Sequence, residues 1–131
     1  MRNIIFRGKS IAHHGKKEEW VYGFYSNYKG VNGRTHYISD DNGNSIAVRE
    51  ETVGQYTGLT DKNGNRIFEG DIVSLESIKS RINKVVCWNE ERATYDVVDC
   101  DKSRMELYSF FRCEIIGNIH DNPELLYECQ R

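Results

Sequence analysis

The chain has no apolar run long enough to cross a bilayer, although 38% of its 131 residues are hydrophobic. Its leucines, isoleucines, valines and phenylalanines are interspersed with polar residues. That predicts one modest core, or two small subdomains sharing a core. Arg2 is followed by only three apolar residues, Ile4, Ile5 and Phe6, which is too few for a signal peptide, so a bacterial cytoplasmic location is expected. Cys-x-x-Cys pairs are also missing. Cys87, Cys100, Cys113 and Cys129 stand far apart, with no histidine at a finger-like distance. Free thiols in a reducing compartment are therefore expected, and a zinc site is not. The glycine-rich stretch from Lys29 to Arg34 lacks the Gly-Lys-Ser or Gly-Lys-Thr of a phosphate loop. Clustered positive charge is missing as well. Residues 1–60 carry 8 Lys+Arg against 6 Asp+Glu, and residues 61–131 carry 10 against 14. A phosphate-binding surface would need more.

What the chain does contain is tight-turn chemistry between short β-prone runs. Strands are expected at Asn3 to Ser10, Trp20 to Tyr28, Thr35 to Ser39 and Ile46 to Val48. In the second of these, Trp20, Tyr22 and Phe24 alternate around a candidate bulge at Gly23. That pattern predicts a core-facing row and leaves Tyr25 and Tyr28 for the surface. Asp40-x-Asn42-Gly43-Asn44-x-Ile46 is repeated 21 residues on as Asp61-x-Asn63-Gly64-Asn65-x-Ile67. These are the residues any tight hairpin turn demands, so shared turn chemistry explains the match better than duplication does. Asp61, Asn63 and Asn65 also occupy alternate positions, like the first ligands of an EF-hand. Arg66 stands where that loop needs glycine, however, and Ile72 where it needs glutamate, so no calcium site is expected.

Past this turn, Gly70 and Asp71 lead into a strand with Ile72 and Val73. This strand returns through a basic tip, Lys79, Arg81 and Lys84, to Val85-Val86-Cys87-Trp88. Further strands are expected at Ala93 to Cys100, Tyr108 to Arg112 and Glu114 to Ile119, with Asn122 capping a helical turn that starts at Pro123. The expected fold is mainly β. Residues 1–58 form an irregular β-rich part and residues 59–131 a small closed SH3-like barrel with a terminal helical turn.

Several motifs agree in order and spacing with one family. They are Gln55-Tyr56-Thr57-Gly58-Leu59, Asp61-Lys62-Asn63-Gly64, Glu69-Gly70-Asp71-Ile72-Val73, Val86 with Trp88, and Ile116-Gly117-Asn118-Ile119 with Asn122-Pro123-Glu124-Leu125-Leu126. Together they make the chain resemble the YopX family of phage and prophage proteins, whose members carry no assigned biochemical activity. The resemblance implies a mainly β fold with an SH3-like C-terminal barrel, and a phage or prophage context.

Three functions are weighed on this basis. The first is a non-enzymatic accessory module that binds another protein, of phage or host, with self-association left open. Its candidate surface is Tyr25, Tyr28, Lys79, Arg81 and Lys84. The second is a nucleic-acid-binding protein using the Lys79–Lys84 loop, with Tyr25, Tyr28 or Trp88 stacking on bases. The third is an enzyme built from Asp61, Glu69, Asp71 and Asp121. Carboxylates beside glycine in turns more often bind backbone amides, so no catalytic residue, metal or cofactor is expected, nor a membrane partner.

Overall fold

The computed structural model describes residues 3–76, 81–99, 103–110 and 112–130. The chain divides into two compact units, Met1–Tyr56 and Thr57–Arg131. Both are built from antiparallel strands, and among the described residues the only helical segments are short 3-10 turns.

The first unit contains β1 (Phe6–Lys9), β2 (Trp20–Gly30), β3 (Gly33–Ser39) and β4 (Ser45–Val48), then a 3-10 turn at Glu50–Thr52. The strand β5 (Gly54–Thr60) begins in this unit, where Gly54 and Gln55 lie opposite Arg7 and Phe6. The sheet order is β4-β3-β2-β1-β5. Beyond β1 the chain returns to the free edge of β4. The Ile11 amide donates to the Ala47 carbonyl (3.1 Å), the Arg49 amide donates to the Lys9 carbonyl (2.9 Å), and Ser10 bridges Val48. The sheet is thus strongly curled, though one bridge does not make it a closed barrel.

Curling gives the sheet an inner and an outer face. Ile38 and Val48 are fully buried on the inner face, where Phe6 meets Tyr25 with ring centroids 5.6 Å apart. Alternation along β2 puts Trp20, Tyr22, Phe24 and Tyr28 on the outer face. This reverses the expected parity, since Tyr22 and Phe24 are exposed and Tyr25 packs inward. Gly23 gives the physical reason. A Cβ there would stand 2.0 Å from the Ser39 carbonyl oxygen, so the crowded side of β2 is the glycine side. The pairing of β1 with β2 ends at Gly23, opposite Phe6, and contains no register shift.

The second unit opens with the hairpin of β5 and β6 (Arg66–Phe68). A five-stranded sheet follows, in the order β10-β9-β8-β7-β11, built from β7 (Asp71–Glu76), β8 (Arg81–Asn89), β9 (Thr94–Val98), β10 (Arg104–Glu106) and β11 (Glu114–Asn118). Its core face carries Val73, Val86 and Val97, which pack with Ile67, Leu107 and Cys113. The expected closed barrel is not formed. β10 and β11 are the two edges of an open sheet, and among the described residues no ladder joins them. The strand expected at Tyr108 to Arg112 is also corrected. Pairing with β9 is made by Arg104–Glu106, and Leu107–Phe110 is a 3-10 turn that buries Leu107 and exposes Tyr108. The terminal segment Pro123–Gln130 is 3-10. Among the described residues no helix is long and apolar enough to cross a membrane.

Candidate functional site

The outer face of the first sheet concentrates exposed aromatic surface. Phe24 is 66% exposed, Tyr28 65% and Tyr22 50%. Tyr28 meets Tyr37 of β3 edge-on, with centroids 5.8 Å apart. At the β1 end the Arg7 guanidinium lies 4.6 Å from the centre of the Trp20 ring and the Lys9 ammonium 5.8 Å, both in cation–π geometry. Ser26, Thr35, Ser39 and Ala47 fill the remaining outward positions by register. Rings that would normally seek cover stand instead on a rigid, paired platform.

The inner face explains why Tyr25 is not part of that platform. Its hydroxyl is 2.6 Å from Nδ1 of His36, and the two rings are stacked. Nε2 of His36 faces Glu50 at 3.5 Å. Through these contacts His36 ties β2 and β3 to the 3-10 turn.

Of the side chains of the basic tip, that of Lys84 is described. Lys84 is a β8 residue, only 7% exposed, and its ammonium lies 3.4 Å from Asp99. Lys79 and the side chain of Arg81 lie outside the described residues. Trp88 packs edge-on against its cross-strand partner Tyr95 at 4.9 Å and is 42% exposed.

Of the four acidic candidates of the second unit, Asp61, Asp71 and Asp121 are engaged by backbone and amide donors. Asp61 Oδ1 accepts the amides of Asn63 and Asn65, both at 2.9 Å, and Oδ2 accepts that of Ile115 at 3.1 Å. Burial raises the Asp61 pKa, but these amides outweigh it and hold the group below the usual carboxylate range. Three N–H groups converging on one carboxylate are the wrong polarity for a cation site. Asp71 accepts the Phe68 amide at 2.8 Å, and Asp121 accepts from Asn118 Nδ2 at 3.1 Å. Asp40 repeats the Asp61 turn, accepting from Asn42 and Asn44 at 3.0 and 2.9 Å. Gly43 and Gly64 take matching φ values of 82° and 84°. Among the described residues no group of three histidine, cysteine or acidic side chains is placed to hold a metal ion.

The remaining motif residues have local structural work. Thr57 donates its hydroxyl to the Ile67 carbonyl (2.8 Å), and Gly58 takes a positive φ of 90°. The Tyr56 amide donates to the Ile5 carbonyl, and Gln55 lies opposite Phe6. Glu69 and Gly70 form the turn before β7, where the Gly70 amide bonds Val86 and its carbonyl accepts from Ile119. Asn122 does not cap the terminal turn with its side chain as expected. Its Oδ1 reaches back to the Asn118 amide at 3.2 Å, over Gly117, where a Cβ would be 2.6 Å from that oxygen.

Sequence reasoning missed Asp96, which is buried and accepts from Asn89, Thr94 and Arg104. Burial raises its pKa too, yet these donors bring it below the ordinary value. Its cross-strand partner Cys87 has its thiol pKa pushed up by burial, against the pull of Arg104. Burial, with Asp61 and Asp71 nearby, raises Cys113 to about 11. Neither thiol is activated as a nucleophile.

No curated protein is significantly similar to the chain. Among solved structures, the crystal structure of protein EF1440 from Enterococcus faecalis is similar, at 21% identity over 96% of this chain and 99% of that chain, with a TM-score of 0.48. The family model described as YopX protein matches residues 6–127, nearly the whole chain. On that match the chain belongs to the YopX family.

Proposed function

We propose that the chain is a non-catalytic binding module which meets its partner with the outer face of its first sheet. It would act as a phage or prophage accessory protein in the bacterial cytoplasm. The observation that carries this reading is the row of exposed rings, Tyr22, Phe24 and Tyr28, on one face of a single strand. The phage context is carried over from the YopX family resemblance. The engagement of Asp61, Asp71 and Asp121 by backbone and amide donors favours binding over carboxylate chemistry. The second unit supports an adaptor role through its strand order, a meander followed by a 3-10 turn and a last strand that returns to pair with β7. The SH3-like reading of this unit rests on that strand order.

The test is affinity purification of the tagged chain from an infected or lysogenic host, beside a Phe24→Ser/Tyr28→Ser variant. Both side chains are largely in solvent, so the variant retains the wild-type circular dichroism. Loss of the wild-type partners from the variant is expected. If the variant keeps the same partners at the same level, the outer face is not the contact surface.

A further inference from the structure

We propose that the far end of the β2–β3 hairpin holds a site for a dianionic phosphoryl group, bound between Lys29 and Arg34. The site goes beyond the binding reading above, because both residues stand on the face of β2 and β3 opposite Phe24 and Tyr28. The hairpin outruns its neighbours here. Pairing with β1 ends at Gly23 and pairing with β4 ends at His36, so residues 27–30 and 33–35 pair only with each other, and all of residues 27–35 are exposed.

The first observation is a charge conflict. Lys29 and Arg34 are direct register partners, which puts their Cβ atoms about 5 Å apart on one face, and like charges placed directly opposite are destabilising. Nothing in the hairpin answers them. No acidic residue occurs from Tyr25 to Ser39, and among the described residues neither cation makes an ion pair.

The second observation is that Arg34 is held in place. Its Nη1 donates to Asn27 Oδ1 at 2.7 Å, Asn27 Nδ2 donates to the Tyr25 hydroxyl at 3.3 Å, and that hydroxyl lies 2.6 Å from Nδ1 of His36. His36 is buried, and Glu50 faces its other ring nitrogen. The relay runs from a buried base to the exposed end of the hairpin. It anchors one edge of the guanidinium and leaves the other N–H donors for a ligand, so part of the ordering cost of a long side chain is met before anything binds.

The pair selects its ligand by charge and shape. An oriented guanidinium fork can make two parallel bonds to two oxygens of one anion, and the lysine beside it supplies a second charge to a third oxygen. A phosphomonoester has three such oxygens and a charge near −2 at neutral pH. A carboxylate has two oxygens and one charge, which leaves one cation unanswered. A nucleic-acid backbone carries one charge per phosphate and calls for a longer row of cations than this hairpin has.

The experiment is an NMR titration of the labelled chain with inorganic phosphate, phenyl phosphate or acetate, at constant pH and ionic strength in a chloride background. The amides of residues 27–36 and the Arg34 side-chain N–H are followed in wild type, Lys29→Gln, Arg34→Lys, Asn27→Ala and Phe24→Ser/Tyr28→Ser. The substituted side chains are exposed, so amides remote from each change should keep their wild-type positions. Saturable shifts are expected with both phosphates and much weaker ones with acetate. Tighter binding of inorganic phosphate would identify the free ion as the ligand, and tighter binding of the ester a phosphorylated molecule; either supports the site. Lys29→Gln and Arg34→Lys should each weaken binding about tenfold or more, the loss of a charge-assisted hydrogen bond. Asn27→Ala keeps both charges and should weaken it by less, through the freed guanidinium. The inference is overturned if phosphate gives no saturable shift at residues 27–36, if acetate binds as well, or if Arg34→Lys or Asn27→Ala binds as wild type does, since diffuse charge would then suffice. Loss of phosphate binding in Phe24→Ser/Tyr28→Ser would overturn it too, by moving the ligand to the other face. The outer-face reading is judged separately, by the partners that this last variant retains.

Discussion

A methyl group on Gly23 would stand 2.0 Å from a backbone oxygen of β3, and neither strand can move away without breaking the pairing that curls the sheet. Gly23→Ala is therefore expected to cost about 3 kcal/mol, at the upper end of ordinary substitutions. Urea unfolding measures it. An unchanged midpoint would mean that β2 and β3 separate more easily than their register implies. The same residue shows where sequence reading stopped. Alternation was legible in Trp20, Tyr22 and Phe24, but both faces of β2 carry large side chains, Val21 and Tyr25 among them. Hydrophobic content therefore cannot choose the inner face. Gly23 can, because a glycine on one side of a curled strand marks where another backbone passes. The turns were legible because Asn63-Gly64 and Asn42-Gly43 need positive φ, a local requirement. Asp96 was not, because its three donors come together only when β8, β9 and β10 pair.

At the scale of elements, the terminal 3-10 segment is tied to β8 by the Asn83 side chain, whose Nδ2 donates to the Leu125 carbonyl at 3.1 Å. Asn83 Oδ1 and the hydroxyl of Ser74, its register partner on β7, are buried and make no hydrogen bond among the described residues. The two positions therefore respond differently. Asn83→Ala should destabilise by about 1 kcal/mol, the net worth of a typical hydrogen bond, and raise amide exchange at residues 123–126. Ser74→Ala, which removes an unbonded hydroxyl, should be neutral or slightly stabilising. Equal effects of the two would show that Asn83 does not hold the segment. The start of that segment at Pro123 was legible from proline's fixed φ. Its anchoring was not, because Asn83 lies 42 residues away. Misplacing the fourth strand of the sheet has a similar cause. Tyr108 and Phe110 look strand-like, but Leu107 is what the core takes up, and a 3-10 turn delivers it.

For the molecule as a whole, acid is the condition to which the fold is most exposed. Asp61 and Asp96 both have folded pKa values below their unfolded ones. Their contribution is fully present above the usual carboxylate value of about 3.9, and it is lost as pH falls through the lower folded values. Stability should drop steeply below about pH 4. In an Asp61→Asn/Asp96→Asn variant the curve should start lower and fall less, as urea midpoints across that range would show. A parallel curve would mean that other carboxylates carry the acid sensitivity. The Asp61 carboxylate also sets an order of assembly. One oxygen is satisfied by amides two and four residues on, within a turn that forms by itself, whereas the other waits for Ile115, 54 residues along the chain. That second bond needs the last strand in place, and it is expected to close late, after the folding barrier. Asp61→Asn should accordingly quicken unfolding and leave the folding rate nearly unchanged in stopped-flow chevrons, making one carboxylate both the first knot tied in the second unit and the last.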